Sequence, residues 1–264
     1  MKYFLHIAYN GFLFRGWQRQ PNAKSVQETI ETILERILKQ KTICFGCGRT
    51  DAQVHADQYF FHIDTSVELQ DDFRFILNKN LPSSISCFEI IKVEDKCHAR
   101  YDVLKRTYDY FLHFEKNPFL AEISALYLDS YIDYKLMANV ISYIQENSDF
   151  RAFCLNPDKH NHTLCTIFEC SLKISDDNKQ LWFSITGNRF LKSMIRMLVG
   201  KLIDIGKKTF TLEEYVHSLK TGEYPAKLHI ARPEGLHLSK IVYPYMERDS
   251  MISNRLQALK WHSI

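Results

Sequence analysis

The chain has 264 residues, 45% hydrophobic and 25% charged, with only 9 Gly and 7 Pro, which excludes disorder, collagen-like repeats and long flexible linkers. Its length fits one large domain or two moderate ones, at roughly 100–200 residues each. The net charge of +3 is unevenly spread: residues 1–50 carry 8 basic against 3 acidic side chains, 51–150 carry 9 against 17, and 151–264 carry 17 against 11, a pattern that permits a polyanion partner without requiring one.

Residues 2–10 alternate as a strand, and 11–21 read as a loop. Ser25-Val-Gln-Glu28 is a capping-box signature, and Val26, Ile30, Ile33, Leu34 and Ile37 recur at helical spacing, so 25–39 is a predicted amphipathic helix. Strands follow at 42–47 and 54–64, then a helix over 69–80 that Pro82 ends, then strands at 85–93 and 105–114. The second half repeats this grammar, with a helix over 133–146 and strands at 167–174 and 181–186. Asn188 is the predicted cap of the next helix, which has an apolar seam of Leu191, Ile195, Leu198, Leu202 and Ile205. Arg189, Lys192 and Arg196 then fall together on another face, at spacings of three and four. Thr211-Leu-Glu-Glu214 caps a further helix closed by Gly222. A last strand is expected at 235–243 and a tail helix at 247–261. Strand–helix–strand–strand units in both halves, without strict alternation, predict an α+β fold of helices packed on largely antiparallel sheet.

No window reaches 18 consecutive apolar residues. The apolar start at Met1–Ile7 is broken by His6, Asn10, Gly11 and Arg15, and no small-residue cleavage site follows. A cytoplasmic chain with no membrane partner is expected. Seven scattered cysteines suit a reducing compartment. Cys44 and Cys47 form a lone C-x-x-C without a second pair, and His160, His162, Cys165 and Cys170 have no recognised ligand spacing. Buried thiols and no metal are the expectation, with a thiol or metal protein as the rival that metal analysis would reveal.

The phosphate-binding, dinucleotide, zincin and α/β-hydrolase motifs are all missing from the sequence. What stands out is Gly48-Arg49-Thr50-Asp51-Ala52-Gln53-Val54-His55. Its glycines permit a tight turn, and its aspartate follows an apolar run. A carboxyl with an ordinary pKa of about 3.9 is charged at neutral pH and suits a nucleophile or base; from this window alone an Asx turn or salt bridge is the better explanation.

This window resembles the active-site motif of the TruA-type tRNA pseudouridine synthases, and four more blocks keep that family's order. They are Tyr9-Asn-Gly11 with Gly16-Trp-Gln-Arg-Gln-Pro-Asn22 and Ser25-Val-Gln27; His98-Ala-Arg100 with Arg106-Thr-Tyr108-Asp-Tyr110; Gly187 through Arg196 with Val199-Gly200; and Pro233-Glu-Gly-Leu236 with Tyr243-Pro244. The resemblance implies the pseudouridine synthase fold: two similar α+β halves, 1–104 and 105–264, meeting at a central cleft. It implies a cofactor-free isomerase that turns uridine into pseudouridine in the anticodon stem-loop of tRNA at positions 38–40, acting as a homodimer.

On the family's pattern Asp51 is the nucleophile, Tyr108 stacks on the target uracil and Arg196 pairs with the aspartate. Arg49 supports the loop or contacts phosphate, while His55 is a structural histidine ahead of a proton relay. Arg15, Arg19, Arg189 and Lys192 are the phosphate contacts expected at the basic ends of the chain. Four positions depart from the pattern. Gln53 replaces a Gly, Arg189 a Gly or small residue, Met197 an Asn and Cys165 an Arg. A paralogue acting on fewer or other RNA uridines, or an RNA-binding protein without catalysis, are the alternatives.

Overall fold

The computed structural model describes residues 1–128, 132–225, 227–246, 248, 256–257 and 259–264. In chain order its elements are β1 (Lys2–Tyr9), α1 (Val26–Leu38), β2 (Phe45–Gly46), β3 (His55–Asp64), α2 (Phe73–Asn80), β4 (Ile85–Val93), β5 (Lys105–His113), β6 (Ala125–Leu126), α3 (Tyr134–Ala138), α4 (Ile141–Glu146), β7 (Ile167–Ser175), β8 (Gln180–Gly187), α5 (Met194–Gly206), α6 (Leu212–Thr221), β9 (Leu236–Val242) and β10 (Trp261–Ser263). The fold is α+β. It divides into two compact units, one of Met1–Leu104 with His237–Asn254 and the other of Lys105–Leu236 with Arg255–Ile264.

In the first unit the strand order is β9-β3-β1-β4. β1 pairs antiparallel with both β3 and β4, and β9 lies parallel to the start of β3, His55 opposite His237. β2 pairs antiparallel with the far end of β3, Phe45 opposite His62. Seven of the eight residues of β1 are buried, so the strand is covered on both faces rather than on the one face its alternation predicts. Ser25 Oγ accepts the Glu28 N–H, capping α1 as expected. The expected strand over 42–47 shrinks to Phe45–Gly46 because Cys44 is bonded to a helix: its N–H donates to Glu31 Oε1 and its carbonyl accepts from Gln27. α2 begins at Phe73 rather than 69: the Phe73 N–H closes a tight turn onto the Gln70 carbonyl at 2.9 Å, and the Leu69 N–H donates to the Tyr3 hydroxyl.

The second unit orders its strands β10-β7-β8-β5, antiparallel throughout, with β6 parallel to β5. α4 packs on β7 and α3 on α5. The helix expected over 133–146 is two short ones, broken at Asn139-Val140, where a run of asparagine and β-branched residues disfavours helix. The helix expected from Asn188 begins only at Met194. Asn188 Oδ1 instead accepts from the N–H groups of Thr166 and Arg189, and Ser193 is left-handed at φ 58°, so no helix can run through it. Arg189 and Lys192 therefore sit in a loop, and the shared basic face with Arg196 does not exist. α6 has the full capping box at Thr211 and Glu214 and a left-handed Gly222 after its end.

β9 is not the last strand, because Trp261–Ser263 pairs with β7. Of the expected tail helix, 247, 249–255 and 258 lie outside the described residues, and Trp261 is in β10.

Candidate active site

The loop that carries Asp51 is held from both sides. Beyond β2, the Cys47 N–H donates to the Phe60 carbonyl at 2.8 Å and the Tyr59 hydroxyl to the Gly48 carbonyl at 2.6 Å. The opening segment closes over the loop. Trp17 N–H donates to the Thr50 carbonyl at 3.3 Å, Gln53 N–H to the Phe14 carbonyl at 3.0 Å, and the Tyr9 and Thr50 hydroxyls lie 2.8 Å apart. Two glycines make this approach possible. A Cβ on Gly11 would lie 1.9 Å from the Val54 carbonyl oxygen, and one on Gly16, at φ +87°, 2.3 Å from that of Thr50. The first block of the motif set is therefore the cradle of the aspartate loop, a role that sequence reasoning did not assign to Tyr9, Gly11, Gly16 or Trp17. Its signal was their fixed place in the motif.

A turn closes from Val54 N–H to the Asp51 carbonyl at 3.2 Å. Gln53 takes φ 65° within it, so the left-handed conformation suited to the family's glycine is kept by a glutamine. Asp51 is half-buried and Arg49 exposed. His55 is buried. Its Nδ1 accepts the Gly11 N–H at 3.1 Å, and its ring stacks on His237 at 4.5 Å, a structural placement. Arg15 is exposed. Arg19 lies 2.8 Å from Glu31, the carboxylate that also holds Cys44 N–H.

In the second unit Tyr108 faces Ile185 across the β5–β8 pair. Tyr108 is 8% exposed, and its ring meets Phe190 edge to face at 5.3 Å. Arg196 lies in the first turn of α5 and is tied twice to one residue. Its Nε donates to the Ala231 carbonyl at 2.7 Å, and its own carbonyl accepts the Ala231 N–H at 2.9 Å. One turn later a Cβ on Gly200 would lie 2.3 Å from the His229 carbonyl oxygen, so α5 can approach residues 229–231 only with glycine there. Sequence spacing shows neither Phe190 nor Ala231 as a partner, because both contacts depend on tertiary placement.

Arg189 Nη1 lies 3.0 Å from His162 Nε2, while Lys192 is exposed and its carbonyl accepts the Leu155 N–H. Cys165, where the family shows Arg, is buried, and burial pushes its thiol up to about 11. Met197 is buried too. All seven cysteines are free, and six are buried. Among the described residues no group of three or more His, Cys, Asp or Glu is placed to hold a metal ion. No described helix is long and apolar enough to cross a membrane.

Residues 147–244 match a family model described as tRNA pseudouridine synthase. The tRNA pseudouridine synthase A of Porphyromonas gingivalis is 33% identical over 249 residues, 92% of this chain and 97% of its own length. That of Parabacteroides distasonis is 30% identical over 249 residues, 92% and 96% of the two chains. The Streptococcus gordonii enzyme of the same name is 33% identical over 241 residues, 90% and 96%. The likeness covers nine-tenths of the chain and nearly the whole length of each relative, and on that extent the chain belongs to the tRNA pseudouridine synthase A family of isomerases.

Proposed function

We propose that this chain converts uridine to pseudouridine in the anticodon stem-loop of tRNA, at positions 38–40, with Asp51 as nucleophile and without a cofactor. The observation that carries the reading is the cradle. Hydrogen bonds with Tyr9, Phe14 and Trp17, and two glycines with no room for a Cβ, serve to fix one short loop with the half-buried Asp51 in it. Attack by Asp51 at C1′, or removal of a sugar proton, breaks the C1′–N1 bond. The detached uracil turns in place, C5 bonds to C1′ as the Asp51–C1′ bond breaks or the sugar proton returns, and the hydrogen at C5 leaves as a proton while N1 takes one up.

Tyr108 stacks on the uracil: a ring face holds a base without fixing its in-plane orientation, which the rotation needs. On the family's pattern Arg196 is the aspartate's basic partner; its Nε donates to the Ala231 carbonyl. Arg49, Arg15, Arg189 and Lys192 contact phosphate. Arg19 is drawn toward Glu31 and contributes less. The chain works in the cytoplasm, as its free cysteines suit, and as a homodimer.

The test is tritium release from tRNA transcripts carrying 5-³H-uridine. Wild type should release tritium, and Asp51→Ala should release none while keeping its fold and its affinity for tRNA. Retained turnover in Asp51→Ala would remove Asp51 from the chemistry. Binding by wild type without release would leave an RNA-binding protein or a different RNA substrate.

A further inference from the structure

The first unit carries a second aromatic feature outside the Asp51 cradle. Pairing in the sheet sets Phe4, His62 and Phe45 side by side on three strands. Their rings stack at 5.9 and 4.9 Å, within 20° and 15° of parallel. His98 meets His62 edge-on at 4.6 Å, and Tyr101 lies against His98 at 4.3 Å. The backbone locks this arrangement. His98 Nδ1 accepts the N–H groups of Arg100 and Tyr101 at 3.1 and 3.3 Å, and its own N–H donates to Asp102 at 2.7 Å. Burial holds both imidazoles below their ordinary range, His62 down to about 4, so both rings are neutral at pH 7.

Tyr101 is 76% exposed, and the Arg100 guanidinium stands 6.0 Å above its centroid. An isolated exposed ring means little. Here the ring is seated on a fixed imidazole and has a cation over it. A flat base held between ring and guanidinium needs two contact spacings of about 3.5 Å, or about 7 Å in all. The slot is about one ångström short of that, within the reach of an exposed arginine rotamer. The Asp102 carboxylate beside it already accepts from His98 N–H and from the Tyr245 hydroxyl at 2.9 Å. One cation over one ring fits a single base with its phosphate rather than a long backbone track.

We infer that Tyr101, seated on His98 and faced by Arg100, is a stacking site for one unpaired nucleobase of the RNA substrate, separate from the residues that handle the target uridine. This rests on the reading of the chain as a tRNA enzyme. The experiment measures filter binding of tRNA transcripts and steady-state tritium release for the full chain, for Tyr101→Ala and for Tyr101→Trp. Tyr101→Ala should raise Kd and KM about tenfold, the usual scale for loss of one base stack. Its kcat and thermal midpoint should stay at the wild-type values, and Tyr101→Trp should bind like wild type.

Equal Kd for wild type and Tyr101→Ala would overturn the stacking site while leaving pseudouridine formation in place. A change of oligomeric state on gel filtration with Kd unmoved would make the patch a protein contact and also overturn it. A wild-type chain that neither retains tRNA nor releases tritium would overturn the tRNA reading itself, and the stacking site with it.

Discussion

Gln53 sits two residues after the proposed nucleophile with its backbone in the left-handed region. That conformation costs a residue with a Cβ about 1–2 kcal/mol. Gln53→Gly should relieve it, against about 0.5–1 kcal/mol of extra chain entropy to be lost on folding. The expected net is a gain of about 0.5 kcal/mol in urea denaturation, with turnover retained. Gln53→Val, β-branched at the same φ, should lose 1 kcal/mol or more; a Val variant as stable as wild type would show that the turn relaxes easily. This residue was legible in the sequence, because glutamine in a glycine's place within a motif marks the strained position. The cradle was not. Phe14, Trp17 and Gly16 lie more than thirty residues from the loop they hold, and nothing in local spacing reports a hydrogen bond of that reach.

Among the elements, α5 is buried almost along its length and carries a lysine inward. Lys201 is 3% exposed, lies 2.9 Å from Asp204 and sits over the Phe210 ring at 4.5 Å, while His229 approaches the same carboxylate at 2.8 Å. Burial alone pushes the Asp204 carboxyl up, but the bonds from His229 and Lys201 outweigh it and hold it below the ordinary range. Its contribution is therefore complete above the unfolded value of 3.8 and lost as pH falls through the lower native one. Asp204→Ala should cost about 3–5 kcal/mol in a denaturant titration at pH 7, because it strands a buried ammonium. Lys201→Met should cost much less, since the methionine fills the same space over Phe210. Equal losses in the two variants would refute the ion-pair account. The apolar seam of α5 was readable from Ile195 onward, but its start was not. Leu191 fits the helical spacing and is buried, yet it belongs to the loop that Ser193 breaks away from the helix.

At the scale of the whole molecule, acid sensitivity should come from buried imidazoles. Burial lowers His6, His62 and His113, with the Glu89 bond opposing it at His6. In the unfolded chain these groups take up protons near pH 6.5, while in the native fold His62 does so only at about 4. Stability is therefore full above pH 6.5 and falls as pH drops toward 4, by up to about 3 kcal/mol for His62 on the scale of 1.36 kcal/mol per pKa unit. Thermal midpoints should decline over that range, and His62→Phe should flatten part of the decline; a wild-type profile level between pH 7 and 4.5 would exclude the effect. The α+β class and most strand positions were legible as alternation and turn residues. The pairing of Trp261–Ser263 with β7 was not, since three residues carry no period.

The first unit is assembled from two separate stretches of chain, and this sets a timetable for its birth. After Leu104 a ribosome must add residues 105–236 before His237 emerges, which at about 5–20 residues per second takes roughly 7–27 s. During that interval His55 and Ala56, just beyond the Asp51 loop, have no β9 beside them, and Gln58 has neither the Ile241 N–H nor the Arg248 carbonyl to bond. A nascent chain thus shows an open sheet edge to any chaperone that meets it. The half that bears the aspartate was begun first, yet it is completed only after residues 105–236 of the other half have been made.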